Sequence, residues 1–144
     1  MPSRVVVDTN VITAALLSPA GSNRSVLRAC LKGLAKPLVG EALFQEYEDL
    51  VHRSVLMTKS PLTLKEREAL LDAFLSVCEW VRVYYLWRPN LPDEADNHLV
   101  ELAIAGGADA IVTSNTRDPK RSELSFPHLQ ILTPAQFIKK LEIQ

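Results

Sequence analysis

Cysteine, charge imbalance and long apolar runs are all scarce in this 144-residue chain. Only two cysteines occur, Cys30 and Cys78. Two thiols cannot build a disulfide framework or a cysteine-rich metal cluster. Each sits in an apolar helical pattern and is expected as a buried free thiol. The three histidines, His52, His98 and His128, lack the spacing of a zinc site. No apolar run approaches the ~20 residues of a membrane-spanning helix. The N-terminus has no basic region followed by a long apolar core, so a signal peptide is not expected. The cytoplasm is the expected compartment. The net charge of −1 argues against a surface that coats nucleic acid without regard to sequence. A local basic rim around an acidic site stays open, and a nucleic-acid partner would need a metal ion or a second subunit to offset repulsion.

A hydrophobic fraction of 47% and a charged fraction of 23% are ordinary for a globular protein. The length suits one domain over residues 1–144 with a sizeable core. Within it, the most informative stretch is Arg4-Val5-Val6-Val7-Asp8-Thr9-Asn10. A β-branched run ends in a carboxylate, and a helix-like stretch follows. Residues 4–8 therefore read as a buried strand that delivers Asp8 to its own tip, the edge where open α/β sheets place ligands. A charge there is costly unless a cation or several hydrogen bonds meet it.

The remaining chain alternates helix and strand. Helices are expected over 9–17, 22–34, 41–53, 64–78 and 93–105, and from Pro134 onward. Strands are expected at 37–39, 80–85, 109–113 and 130–132. Thr63 and Glu66 form a capping-box pattern, and Gly106-Gly107 closes the helix begun by Asp93, Glu94 and Asp96. The expected fold is α/β: a parallel sheet of about five strands, covered by helices on both faces.

Parallel strands bring four acidic places to the carboxyl edge. These are Asp8, Glu46 in the second turn of the third helix, Asp93 with Asp96, and the run Thr113-Ser114-Asn115 with Asp118 beyond it. Clustered carboxylates repel, and a hard dication relieves the repulsion. Mg²⁺ or Mn²⁺ prefers oxygen ligands and can activate water against a phosphodiester.

The order Asp8-Thr9-Asn10, Glu46, Pro92-Asp93-Glu94-Ala95-Asp96-Asn97-His98-Leu99-Val100-Glu101-Leu102-Ala103, Ala108-Asp109-Ala110-Ile111-Val112-Thr113 resembles the PIN-domain family. With the closing Ile131-Leu132-Thr133-Pro134-Ala135-Gln136-Phe137, it is similar to the VapC-like toxin component of toxin–antitoxin systems. The resemblance implies a Mg²⁺- or Mn²⁺-dependent endoribonuclease acting through metal-activated water. It puts the catalytic acids at Asp8, Glu46 and Asp96, with Asp93 sharing the third place. The family often carries a fourth acid where this chain has Asn115, so the site has one negative charge fewer unless Asp118 folds back. Asp8, Glu46, Asp93, Asp96, Asn115 and Asp118 are thus the candidate metal ligands. Thr9, Asn10, Thr113 and Ser114 would orient ligands or waters. RNA, a cognate antitoxin and a homodimer partner are the implied associations.

Each residue has a plainer reading. Asp8 suits a helix N-cap, most helix acids such as Glu46 are merely solvated, and Asn115 and Asp118 suit turns. Arg117, Lys120 and Arg121 are either a solvated loop or contacts to RNA phosphates. Arg24, Arg28, Lys32 and Lys36 offer a weaker rim. His98 is expected at solvent or an interface, Trp80 in the core, and Trp87 at a partner surface; Tyr84 and Tyr85 close the third strand. A receiver-like signalling module fails for want of an Asp at the end of that strand. A sugar-phosphate hydrolase fails because Asn10 stands where a second acid is needed. A PIN domain that binds RNA or protein without cutting remains the alternative.

Overall fold

A computed structural model describes residues 2–18, 20–53, 58–83, 97–114 and 128–143. Five strands form one parallel sheet: β1 (Ser3–Val7), β2 (Ala35–Val39), β3 (Glu79–Trp80), β4 (Ala110–Val112) and β5 (Gln130–Leu132), in the order β3-β2-β1-β4-β5. Between them lie α1 (Thr9–Leu17), α2 (Ser22–Leu31), α3 (Glu41–Leu50), α4 (Leu64–Val77), α5 (Asn97–Gly106) and α6 (Pro134–Ile143).

Strand β1 is central. Val5, Val6 and Val7 are all fully buried. Successive strand residues point to opposite faces, so both faces of the sheet are covered. Helix α5 packs on β1, β2 and β4, and α2 packs with α1, α4 and α6. Gly106 ends α5 where it meets the sheet: a Cβ there would stand 2.6 Å from Leu38 Cδ1 and 3.0 Å from Val81 Cγ2. Gly107 then turns the chain at φ +65°, a conformation open to glycine at little cost.

Helix starts follow local chemistry. Thr63 accepts from the Glu66 amide while Glu66 accepts from the Thr63 amide, the expected capping box. Thr133 and Gln136 do the same at the start of α6, with Pro134 as its first residue.

Several boundaries differ from expectation. Helix α2 stops at Leu31, short of the expected end at Leu34, which is 57% exposed. Helix α3 ends at Leu50 rather than at Arg53. The third strand is two residues long, with one more bond from the Val81 amide to the Val39 carbonyl. Trp80 is not in the core: it is 56% exposed and sets its ring edge on Phe44. An outermost strand has solvent on its far side, so alternation alone could not assign its inward face. Leu64 is also exposed, at the first turn of α4. No helix among the described residues is long and apolar enough to cross a membrane.

Candidate functional site

Asp8 directly follows β1. Its amide donates to the Val112 carbonyl at 2.9 Å, extending the β1–β4 pairing by one step. It occupies the N-cap position of α1, yet its side chain makes no capping bond. The carboxylate is turned instead toward its neighbours on the carboxyl edge. Thr113, just past β4, donates from Oγ1 to Asp8 Oδ2 at 2.8 Å. Asn10 donates from Nδ2 to Thr113 Oγ1 at 3.2 Å, and accepts at Oδ1 from the Ser114 amide at 3.3 Å. Thr9, Asn10, Thr113 and Ser114 thus form one hydrogen-bonded patch around Asp8.

Glu46 reaches the same patch from α3. Thr9 Oγ1 lies 2.7 Å from Glu46 Oε1 and 3.3 Å from Asp8 Oδ1. A hydroxyl has one proton to give, and the shorter contact takes it to Glu46. One buried threonine therefore stands between two carboxylates that are far apart in the chain.

Two residues that support this arrangement escaped the sequence reading. Tyr47 is fully buried, stacks edge-on with Phe74, and donates its hydroxyl to the Val7 carbonyl. Burial pushes its phenol well above the usual value, and the neighbouring acidic groups Cys78, Cys30, Asp8 and Glu46 raise it further. The hydroxyl stays protonated and pins α3 to the last residue of β1, one position before Asp8 and one after Glu46. No sequence signal gave the Tyr47 hydroxyl a partner. His98 is the second. It was placed at solvent or an interface, but its Nε2 lies 2.6 Å from Glu46 Oε2. The signal was its helical phase: His98 is four residues before Leu102, which is 2% exposed, so both face one side of α5.

The donor set suits a hard cation. Asp8 and Glu46 offer oxygen only, and the sole ion pair to either among the described residues is with His98. Each carboxylate oxygen has two acceptor positions, and no oxygen of the pair accepts more than one short bond in this network. No group of three or more His, Cys, Asp or Glu that could hold a metal exists among the described residues. Asp93, Asp96, Asn115, Asp118, Arg117, Lys120 and Arg121 lie outside them, as do Tyr84, Tyr85 and Trp87.

The weaker basic rim lies elsewhere. Lys36 is in register with Arg4 at the opposite, amino edge of the sheet. Arg24 spends its guanidinium on the Ala15 carbonyl, at 2.6 and 2.9 Å. Arg28 and Lys32 line a groove of about 390 Å³ with Leu34, Ile138, Leu141 and Glu142. Cys30 and Cys78 are free thiols, both pushed up to about 12 by burial.

Comparison with known proteins agrees with this geometry. No curated protein sequence matches the chain. Among solved structures, the fold is similar to a chain in the crystal structure of VapBC2 from Rickettsia felis bound to a DNA fragment from their promoter. The TM-score is 0.58 at 20% identity, covering 90% of this chain and 98% of that one. The PIN-domain family profile matches residues 4–117, a span that runs from β1 through the Thr113 that holds Asp8. By its sheet order, by the acids at its carboxyl edge and by that match over most of its length, the chain belongs to the PIN-domain family.

Proposed function

We propose that the protein is a metal-dependent endoribonuclease and the toxin half of a toxin–antitoxin pair. The observation that carries this reading is the pairing of Asp8 and Glu46 across Thr9, two carboxylates with room for further ligation at the ligand-binding edge of a parallel sheet. The order of the family motifs and the likeness to a VapBC2 assembly support it. Asp8, Glu46 and Asp96 are the catalytic acids in this reading. Asp93, Asn115 and Asp118 are the further candidates to complete the ligand set for Mg²⁺ or Mn²⁺. Such an ion supplies an activated water and charge neutralisation for phosphodiester hydrolysis.

The chain's own groups do the positioning. Thr113 and Thr9 donate to Asp8 and Glu46 and fix where their free lone pairs point. Asn10 holds the Thr113 hydroxyl and the Ser114 amide, so these two residues after β4 stay against α1. Arg117, Lys120 and Arg121 supply positive charge for RNA phosphates. The whole of 1–144 acts as one domain, in the cytoplasm, as a homodimer bound by its antitoxin until released.

The test uses purified protein and mixed cellular RNA with Mn²⁺, Mg²⁺ or EDTA, beside Asp8→Asn prepared identically. Cleavage that needs the ion and is lost in Asp8→Asn is the expected result. Undiminished cleavage by Asp8→Asn rejects the assignment. Absence of cleavage together with retained Mn²⁺ binding favours the second reading, a PIN domain that binds without cutting, to which Asn115 in place of a fourth acid points.

A further inference from the structure

Glu46 is a half-exposed side chain with three rotatable bonds. Holding such a carboxylate in one pose costs rotamer entropy. A ligand for a small, geometrically demanding ion cannot wander, and misplacement by about 1 Å is enough to lose much of a site's effect. Thr9 restrains one oxygen only. A carboxylate held at one oxygen still swings about that bond.

The second restraint comes from α5. We propose that His98 is a positioning residue for Glu46, closing a two-point clamp: Thr9 on Oε1 at 2.7 Å and His98 on Oε2 at 2.6 Å. The inference rests on the nuclease reading above and adds a residue to it. His98 is suited to the task. Its side chain is only 19% exposed, and it rides on a helix whose next five residues, Leu99 to Ala103, are all buried. Its ring therefore has little freedom. Its Nδ1 is buried with no hydrogen-bond partner among the described residues, so no described group competes for the ring's orientation. The contact also joins α5 to α3, and Asp96 immediately precedes α5 in the sequence. One imidazole thus ties the second acid to the helix that follows the third. Each clamped oxygen keeps a lone pair for a cation.

The test separates positioning from packing. In the metal-free protein, imidazole ¹⁵N spectra show a hydrogen-bonded proton on Nε2, and Glu46→Gln shifts that resonance. His98→Leu keeps the apolar bulk and loses the donor. It weakens Mn²⁺ binding, measured by water-proton relaxation without RNA, by about 10- to 100-fold. It lowers kcat by a similar factor while KM for RNA changes little. His98→Gln, which places an amide N–H near the Nε2 position, restores most of both. Wild-type Mn²⁺ affinity in His98→Leu overturns the proposal, as does His98→Gln behaving no better than His98→Leu. Asp8→Asn is run alongside. If it too binds Mn²⁺ and cuts RNA like the wild type, the nuclease reading itself has failed, a result distinct from failure at His98 alone.

Discussion

The two edges of the sheet treat charge in opposite ways. At the amino edge, Arg4 forms a two-point pair with Glu79, at 2.6 and 3.0 Å, and donates to the Gly106 carbonyl. Its amide is taken by Asp109 at 3.0 Å. Arg4 and Glu79 meet as opposite charges, and Glu79 is held below the usual carboxylate range mainly by its bond from Arg4. At the carboxyl edge, Asp8 and Glu46 face hydroxyls and one imidazole. No lysine or arginine pairs with them among the described residues. A closed network serves the fold, whereas an open one leaves attraction for something outside it.

The largest effect comes from breaking the open edge. Asp8→Asn is expected to lower ion-dependent RNA cleavage by about 100-fold or more, the scale of several kcal/mol. Its thermal midpoint stays level or rises, because a repelling charge has gone. Arg4→Met at the closed edge leaves cleavage within about twofold by the same assay. If the two variants lose activity equally, the contrast between the edges is false.

Next come the joints that hold the edges apart. Tyr47→Phe leaves the Val7 carbonyl without its donor and lowers stability by about 1–3 kcal/mol, read from urea unfolding. Cleavage falls more than stability alone explains, since Glu46 shifts with α3. Gly106→Ala drives a methyl toward Leu38 and costs about 1–3 kcal/mol of stability, with α5 displaced and His98 carried with it.

The smallest effects concern pH. Glu79 has its carboxyl lowered, so its contribution is present above the ordinary value near 4.5 and is lost as pH falls through the lowered one. Acid titration of Arg4→Met should therefore lack a small step that the wild type shows, and added salt should shrink it. The thiols act at the other end. Cys30 and Cys78 ionise at about 9 when unfolded and about 12 when folded. Their contribution is intact below pH 9 and fades between 9 and 12. Cys78 is only partly buried, unlike the buried Cys30, so iodoacetamide at pH 8 should modify Cys30 only as fast as the protein unfolds and Cys78 sooner.

Much of this was legible in the residues themselves. A β-branched run ending in Asp8 gave the central strand and the acid at its tip, because burial on both faces leaves an unbroken apolar signature. Thr63 with Glu66, and Pro134, announced helix starts through purely local bonds. Strand order put Glu46 at the carboxyl edge, and the family pattern gave it a role, since a lone helix acid carries no mark of what it faces. Trp80 and His98 went wrong for one shared reason. Side-chain surroundings depend on which element lies opposite, and that is decided by packing between segments distant in the chain. Leu34 failed similarly, its spacing continuing a helix whose backbone had already turned at Gly33, φ +82°.

The central place of β1 has a consequence for the order of events during synthesis. Asp8 leaves the ribosome well before Thr113, which fixes its carboxylate and lies 105 residues further along. The pairing of Val7 with Val112 closes a loop that spans most of the sequence, and such distant closures form slowly. A partly translated chain therefore carries its acids without the frame that arranges them. Any cutting power waits until the segment bearing Thr113 has joined β1.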